Sequence, residues 1–202
     1  MDEAPLRRWI AALVATPGLT AVSDPEEAWR LHVEDSLAGV ALVESFGGPI
    51  VDVGSGGGAP GIPLAAMLPG REVVLLEANG RKAAFLEEAA AGFPNVRVVR
   101  GRAEEQEPER YGVAVAKALA PPVVAAEWCL PLVGDGGAVV LYTGEDGLDG
   151  LDIVAGRLAA APPEVVPVLG SERKRLVLLR KLGPTPAGFP RRPGMARKRP
   201  LA

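Results

Sequence analysis

The chain contains few of the residues that build redox and metal centres. Its 202 residues include one cysteine, Cys129, and one histidine, His32. A single cysteine excludes an internal disulfide, and this pair cannot supply the usual ligand set of a zinc site. Cys129 lies in an apolar stretch with helical spacing, which favours a buried, unreactive thiol over a nucleophile. We therefore expect no metal and no cysteine chemistry.

Long apolar runs are also missing. Although 48% of the residues are hydrophobic, they form no run of the roughly 18 residues that a membrane-spanning helix needs. The first residues, 1–4, lack the charged and then apolar pattern of a secretory signal. We expect a cytoplasmic protein without a membrane partner, built as one domain with a sizeable core.

The net charge of −3 hides a strong asymmetry. Residues 1–170 hold 12 Lys/Arg and 24 Asp/Glu, a net of −12, whereas residues 171–202 hold 10 Lys/Arg and one acid, a net of +9. A basic end on an acidic body indicates a nucleic-acid partner, with a solubilising tail as the alternative. We divide the chain into a domain with a short helical N-terminal extension, residues 1–182, and a basic Pro/Gly-rich tail, residues 183–202. This C-terminal segment is expected to be extended and mobile, to bind RNA and to add little to cofactor binding.

Predicted strands and helices alternate along most of the chain. Asp24 as N-cap and Pro25 in the first turn begin a helix that continues to Gly47. The alternation predicts a mostly parallel sheet with helices on both faces. Two final strands, residues 165–169 and 176–179, are expected to be antiparallel. The other predicted strands are residues 50–53, 72–76, 96–99, 113–116 and 138–142, and the other predicted helices are residues 62–68, 81–91, 122–132 and 147–160.

The most informative stretch is a glycine-rich loop between the first of these strands and the helix that follows it. Gly54 and Gly56 open this loop, and Asp52 precedes it at the end of the strand. Without Cβ atoms the loop backbone can approach a ligand closely and adopt positive φ angles. Such a strand, loop and helix is how a doubly wound α/β domain holds a nucleotide-like cofactor.

The neighbouring residues help to identify that cofactor. The spacing of Gly54, Gly56 and Ala59 also fits the dinucleotide pattern, so NAD(P) is an alternative. Asp52 favours S-adenosylmethionine, because a carboxylate suits its amino and sulfonium groups and would repel a pyrophosphate. Glu77 closes the next strand and is placed to accept from the ribose hydroxyls of either cofactor.

Several chemically useful side chains follow the ends of predicted strands. Ligands of open parallel sheets bind outside the carboxyl ends of the strands. We therefore expect these residues to surround a single crevice. They are Asp52, Gly54, Glu77, Glu104, Lys117 and Thr143.

A set of motifs covers the chain from about residue 19 to residue 201. It includes Asp52-Val53-Gly54-Ser55-Gly56, Pro60-Gly61-Ile62-Pro63-Leu64-Ala65, Gly101-Arg102-Ala103-Glu104-Glu105, Ala118-Leu119-Ala120-Pro121 and Pro190-Arg191-Arg192-Pro193-Gly194. With these motifs the chain resembles the glucose-inhibited division protein B family, the RsmG enzymes. Members of that family methylate N7 of a guanine in bacterial 16S ribosomal RNA.

The resemblance implies a fold, a cofactor and a partner. The fold is the Rossmann-like methyltransferase fold, α/β with a mostly parallel seven-stranded sheet, an antiparallel closing strand and helices on both faces. The cofactor is S-adenosylmethionine, and the partner is 16S ribosomal RNA or the small ribosomal subunit. Gly54 and Ala59 would line the cofactor, Ala103 and Glu104 would frame its adenine, and Lys117 would lie near cofactor and substrate.

Lys117 and Arg102 are the candidate catalytic residues. Guanine N7 carries a lone pair, so its methylation needs no general base, which suits a chain with one histidine. Catalysis then depends on alignment, and both cations are expected to neutralise nearby phosphate.

Three positions depart from the family pattern. Ala59 replaces a larger apolar residue, Lys117 replaces an arginine, and Thr143 stands where a lysine is common. Two alternatives therefore stay open, a methyltransferase of small molecules and a catalytically weakened, cofactor-binding RNA protein.

Overall fold

In a computed structural model that describes residues 2–202, seven strands form one sheet in the order β3-β2-β1-β4-β5-β7-β6. Strands β1 to β5 pair in parallel, and β7 lies antiparallel between β5 and β6. The predicted fold class is thereby confirmed. The strands are β1 (Ile50–Val53), β2 (Val73–Glu77), β3 (Val96–Arg100), β4 (Tyr111–Lys117), β5 (Val133–Gly144), β6 (Glu164–Pro167) and β7 (Lys174–Arg180).

Helices cover both faces of this sheet. They are α1 (Glu3–Ala15), α2 (Pro25–Trp29), α3 (Asp35–Leu37), α4 (Val40–Glu44), α5 (Gly61–Met67), α6 (Gly80–Ala90), α7 (Pro122–Cys129), α8 (Leu151–Arg157) and α9 (Met195–Lys198). The helix predicted over residues 147–160 is shorter, because Gly150 before α8 has a left-handed φ of 81°. Among residues 2–202 no helix is long and apolar enough to cross a membrane.

Each face of the sheet has its own hydrophobic core, because successive side chains of a strand point to opposite faces. In β1, Ile50 packs in the core beneath α1, α2, α5 and α6, whereas Val51 and Val53 pack in the core beneath α7 and α8. All four residues of β1 are buried. This two-sided burial explains why the parallel strands are continuous apolar runs.

The helix predicted from Asp24 to Gly47 is broken into shorter pieces. A wider π-helical segment, Arg30–Glu34, joins α2 to α3. The Tyr142 hydroxyl donates to the carbonyl of Ser36 in α3 at 2.8 Å, and a Cβ on Gly39, just beyond α3, would overlap that hydroxyl. A tyrosine of β5 therefore occupies the space beside the helix, a tertiary contact that helical spacing does not reveal.

The C-terminal segment, residues 183–202, differs from the extended tail expected from its composition. The expectation of no regular structure is wrong for its residues Met195–Lys198, which form α9. Just before the segment, the buried Lys181 ammonium donates to the Leu130 carbonyl at 3.2 Å and to the Thr185 hydroxyl at 2.9 Å. Burial is the main cause that lowers the pKa of Lys181. A buried lysine thus attaches the start of the segment to the body of the protein.

Candidate active site

The glycine-rich loop after β1 takes a backbone conformation that favours glycine. Gly54 and Gly56 have φ angles of 69° and 58°, where a residue with a Cβ is strained. The Gly54 amide donates to the Leu76 carbonyl at 2.8 Å, which ties the loop to β2. A Cβ on Gly54 would also overlap Cδ1 of Leu119. Conformation and close packing both require glycine at position 54.

Glu77 fixes the far side of this loop. One oxygen of its carboxylate accepts from the Gly56 amide at 2.9 Å, and the other accepts from the Asn79 amide at 2.7 Å. A carboxylate has about four lone-pair sites, so two bonds leave capacity for further donors. Glu77 therefore supports the loop and can still accept hydrogen bonds from a ligand.

Asp52 lies beneath the loop and is 1% exposed. Its Oδ2 accepts from the Gly61 amide at 2.9 Å, while Oδ1 has no hydrogen-bond partner among residues 2–202. Burial is the main cause that raises the pKa of Asp52 to about 7. Its carboxylate therefore holds the first residue of α5 from below.

A cavity of about 310 Å³, the first cavity, opens at the carboxyl ends of β1, β2 and β4 and beside the turn after β3. Four predicted cofactor residues, Asp52, Gly56, Ala59 and Lys117, lie outside its lining. Gly56 contributes its amide to Glu77, and Ala59 packs against the core beneath the N-terminal helices. The predicted site residues that line the first cavity are Gly54, Glu77, Arg102, Ala103 and Glu104.

A second cavity of about 440 Å³ adjoins the first at the carboxyl ends of β4 and β5. Its walls include apolar side chains such as Leu31, Leu141 and Leu176, and its rim is charged. The charged lining residues are Asp35, Lys117, Arg173, Lys174 and Arg175.

The expected single crevice is therefore divided in two. Lys117 and Thr143 line the second cavity, whereas Gly54, Glu77 and Glu104 line the first. The physical reason is the turn after β4, where Ala118 has a positive φ of 52°. This turn makes Ala118 and the adjoining leucine a wall common to both cavities. The ends of the strands were located correctly, but this wall was not foreseen.

Lys117 belongs to a small charged cluster in the second cavity. Its ammonium donates to the Leu31 carbonyl and lies 3.9 Å from Asp35, with both side chains 18% exposed. Lys174 donates to both oxygens of Asp35 at 2.6 Å. Burial is the main cause that lowers the pKa of Lys117, which Asp35 opposes and Lys174 reinforces. Asp35 therefore holds two cations at the edge of an apolar cavity.

Several residues of these cavities were not predicted as site residues from the sequence. Asp35 carries the lysine pair of the second cavity, and Trp128, Gly194 and Arg197 line the first. Two motifs that carry the family resemblance were an available signal, His32-Val33-Glu34-Asp35-Ser36-Leu37 for Asp35 and Pro190-Arg191-Arg192-Pro193-Gly194 for Gly194. No sequence signal pointed to Trp128 and Arg197 as cavity residues, because their contact joins positions that are far apart in the sequence.

Comparison with known protein sequences gives a consistent result. A family model described as rRNA small subunit methyltransferase G (GidB) matches residues 6–177. The chain is 38% identical over 199 residues to the ribosomal RNA small subunit methyltransferase G of Synechococcus elongatus, covering 91% of this chain and 82% of that protein. It is 42% identical over 196 residues to the protein of the same name from Rubrobacter xylanophilus, covering 88% and 75%.

Solved structures resemble this one in fold. A precorrin-6y C5,15-methyltransferase from Geobacter metallireducens aligns with a TM-score of 0.57 at 16% identity, over 82% of this chain and 92% of that chain. The T. thermophilus 16S rRNA N2 methyltransferase RsmC, solved with AdoMet and guanosine, aligns with a TM-score of 0.55 at 19% identity, over 76% and 40%.

Proposed function

The chain belongs to the GidB family of rRNA small subunit methyltransferase G proteins, and we propose that it transfers a methyl group from S-adenosylmethionine to N7 of a guanine in 16S ribosomal RNA. Membership confirms the family and the enzyme class that the sequence motifs indicated. The proposal includes action in the cytoplasm on bare 16S RNA or on the small ribosomal subunit.

The observation that carries this proposal is the pair of adjoining cavities. They share the wall formed by Ala118 and Leu119 at the carboxyl edge of the sheet. A methyl transfer between two bound molecules needs such neighbouring sites, because donor and acceptor atoms must meet in line. The first cavity has the carboxylates of Glu77 and Glu104, and the second has apolar walls and a basic rim.

S-adenosylmethionine fits the first cavity by the chemistry of its walls. Gly54 lines this cavity, and Glu77 keeps acceptor capacity for ribose hydroxyls. Beneath the loop, the buried Asp52 carboxylate has an oxygen without a partner among residues 2–202, and when ionised its charge favours a cationic ligand. When bound, this cofactor supplies an electrophilic methyl group on a sulfonium.

The residues of the second cavity are suited to present a base. Apolar side chains such as Leu31 and Leu119 offer surfaces against which an unstacked base can pack. Lys117 and the basic run of residues 173–175 line the same cavity and can neutralise the attached phosphates. Because guanine N7 has a free lone pair, these residues need only orient it, and orientation alone can lower a barrier by roughly 7–11 kcal/mol.

The proposal is tested by measuring methyl transfer to RNA that has been isolated from cells lacking this protein. Purified protein and labelled S-adenosylmethionine are incubated with small subunits or bare 16S RNA, and the nucleosides are analysed by mass. We expect 7-methylguanosine from at least one of these substrates, and none with a folded Gly54→Val variant. Cofactor binding without transfer to either substrate would support a binding protein, and turnover without RNA would support a small-molecule enzyme.

A further inference from the structure

The C-terminal segment reaches the first cavity. Gly194 and Arg197 line it, together with residues that otherwise all precede position 129 in the chain. The basic composition of the segment predicted a role toward RNA and little contribution to the cofactor. Its position in the lining of the cavity that Gly54 also lines indicates a second role.

A buried ion pair fastens the segment to α7. The Arg191 guanidinium donates to both oxygens of Glu127 at 2.6 Å, and Glu127 is 3% exposed. Arg191 also donates to the Arg199 carbonyl at 2.9 Å, so one side chain connects α7 to the end of α9. Bidentate pairs of this type have a defined geometry, and a buried carboxylate without its partner is strongly unfavourable.

Apolar contacts hold the segment on both sides of this ion pair. Phe189 before it and Leu201 after it pack against the core beneath α7 and α8. Between them, Ala196 of α9 is 2% exposed. The stretch that contributes Gly194 and Arg197 is therefore fixed at both ends.

Two contacts then connect the segment to side chains of the first cavity. The Gly194 amide donates to Oε1 of Glu104 at 3.1 Å, with Gly194 at a φ of 82°. The Arg197 guanidinium lies 5.1 Å from the centre of the Trp128 ring, within the range of a cation–π contact. Glu104 and Trp128 both line the first cavity, so the segment fixes two of its walls.

We propose that the C-terminal segment is a structural wall of the cofactor site, in which Gly194 positions Glu104 and Arg197 positions Trp128. A site whose walls are fixed before binding loses less conformational freedom when the ligand enters, and therefore binds it more tightly. For the identity of the ligand, S-adenosylmethionine, this proposal rests on the proposed function.

A matched pair of arginine variants tests this role. Arg197→Ala and Arg192→Ala each remove one positive charge from the same exposed stretch, but of the two only Arg197 lines the first cavity. Calorimetry with S-adenosylmethionine is expected to show affinity weakened about three- to tenfold in Arg197→Ala. Arg192→Ala is expected to bind the cofactor like the wild type, and Arg197→Lys, which keeps a cation near the ring, to recover part of the loss.

The remaining measurements separate this role from stability and from RNA binding. Thermal unfolding of the ligand-free Arg197→Ala protein should match the wild type, and both alanine variants should lose RNA affinity equally. Wild-type cofactor affinity in Arg197→Ala would overturn the positioning role and leave the proposed function intact. A wild-type protein that fails to bind S-adenosylmethionine would overturn both.

Discussion

The glycine-rich loop and the C-terminal segment border the same cavity but are held by different means. The loop is held by the next strand, where Glu77 accepts from Gly56 21 positions away, and Gly54 and Gly56 adopt φ angles that other residues avoid. The segment depends on partners 64 and 90 positions away, Glu127 for Arg191 and Glu104 for Gly194. A residue required for its backbone conformation can be recognised in a sequence, whereas a residue required for a distant partner is recognised only once that partner is known.

The largest expected effect comes from breaking the loop. Gly54→Val introduces a β-branched side chain at positive φ that overlaps Leu119. We expect a loss of S-adenosylmethionine affinity of at least about 1,000-fold, or about 4 kcal/mol, in a protein that still folds. Calorimetry measures the affinity and circular dichroism the fold.

The matched control for this variant is Gly70→Val. Gly70 has open space around the position of a Cβ, so the same substitution there should leave the affinity unchanged. Equal affinities for the two variants would remove the loop from the cofactor site.

Lys117→Ala tests the division between the two cavities. Removal of a charge-assisted contact in the second cavity should lower kcat/KM, by an amount equivalent to an activation free energy raised by on the order of 2–4 kcal/mol. The affinity for S-adenosylmethionine should change little, because Lys117 lines the second cavity and not the first. Steady-state methylation of RNA and cofactor calorimetry give the two values.

Two further variants refine this test. Lys174→Ala removes the more exposed of the two cations beside Asp35. It should reduce kcat/KM less than Lys117→Ala does. Thr143→Lys adds a cation to the same cavity and should be neutral or improve the use of RNA. Full activity in Lys117→Ala would show that the family's arginine role does not transfer to this position.

A smaller effect is expected from the pH dependence of Asp52. Its folded pKa of about 7 lies above the ordinary value of 3.8, so between these values the folded protein keeps a proton that the unfolded chain has released. The stabilisation that this proton gives the folded protein is complete below pH 3.8. It is lost as the pH rises through the folded pKa.

Urea unfolding of wild type and Asp52→Asn at about pH 5 and about pH 8 checks this sign. The wild type should lose on the order of 2 kcal/mol relative to the variant between these conditions. If the difference in unfolding free energy between the two proteins were the same at both pH values, Asp52 would be ionised in the folded protein at both.

The smallest expected effect concerns the exposed charges of the C-terminal segment. Truncation at Gly183 would leave the buried Glu127 without Arg191, so single substitutions are the cleaner test. Arg192→Ala and Lys198→Ala should each lower the salt slope of log RNA affinity by about 0.7–0.9 if the side chain contacts a phosphate. RNA-binding titrations over a range of salt concentrations give the slope, and an unchanged slope in both variants would limit the segment to its place in the cofactor site.

The fold was predictable wherever backbone pattern and hydrophobic burial agree. Strand β1 occupies the predicted residues 50–53, because a short apolar run before a glycine loop has few other conformations. Strand β5 was predicted too short, since Gly134 and Gly136 obscure a strand that begins at Val133, which pairs with Tyr111. Pairing with β4 therefore sets the start of β5, and the two glycines conceal that start in the sequence.

The candidate site was only partly predictable, for a related reason. Glu77 was placed at a strand end, and the structure puts its carboxylate against the loop. Asp52 was predicted to face the cofactor, whereas one oxygen of its carboxylate accepts from the Gly61 amide beneath the loop. The positive φ of Ala118 helps to separate the two cavities. It could not be predicted from the sequence, because alanine rarely adopts a positive φ.

The contact between Arg191 and Glu127 also has a consequence for synthesis on the ribosome. The residues that complete the first cavity are translated only after all seven strands of the sheet. At roughly 5–20 residues per second, chain growth from Arg180 to Leu201 takes about one to four seconds. During that interval all seven strands have been translated, but Glu127 still lacks its arginine. We expect tight cofactor binding to begin only when this stretch has been translated, so that the methyl donor distinguishes chains that contain it from shorter ones.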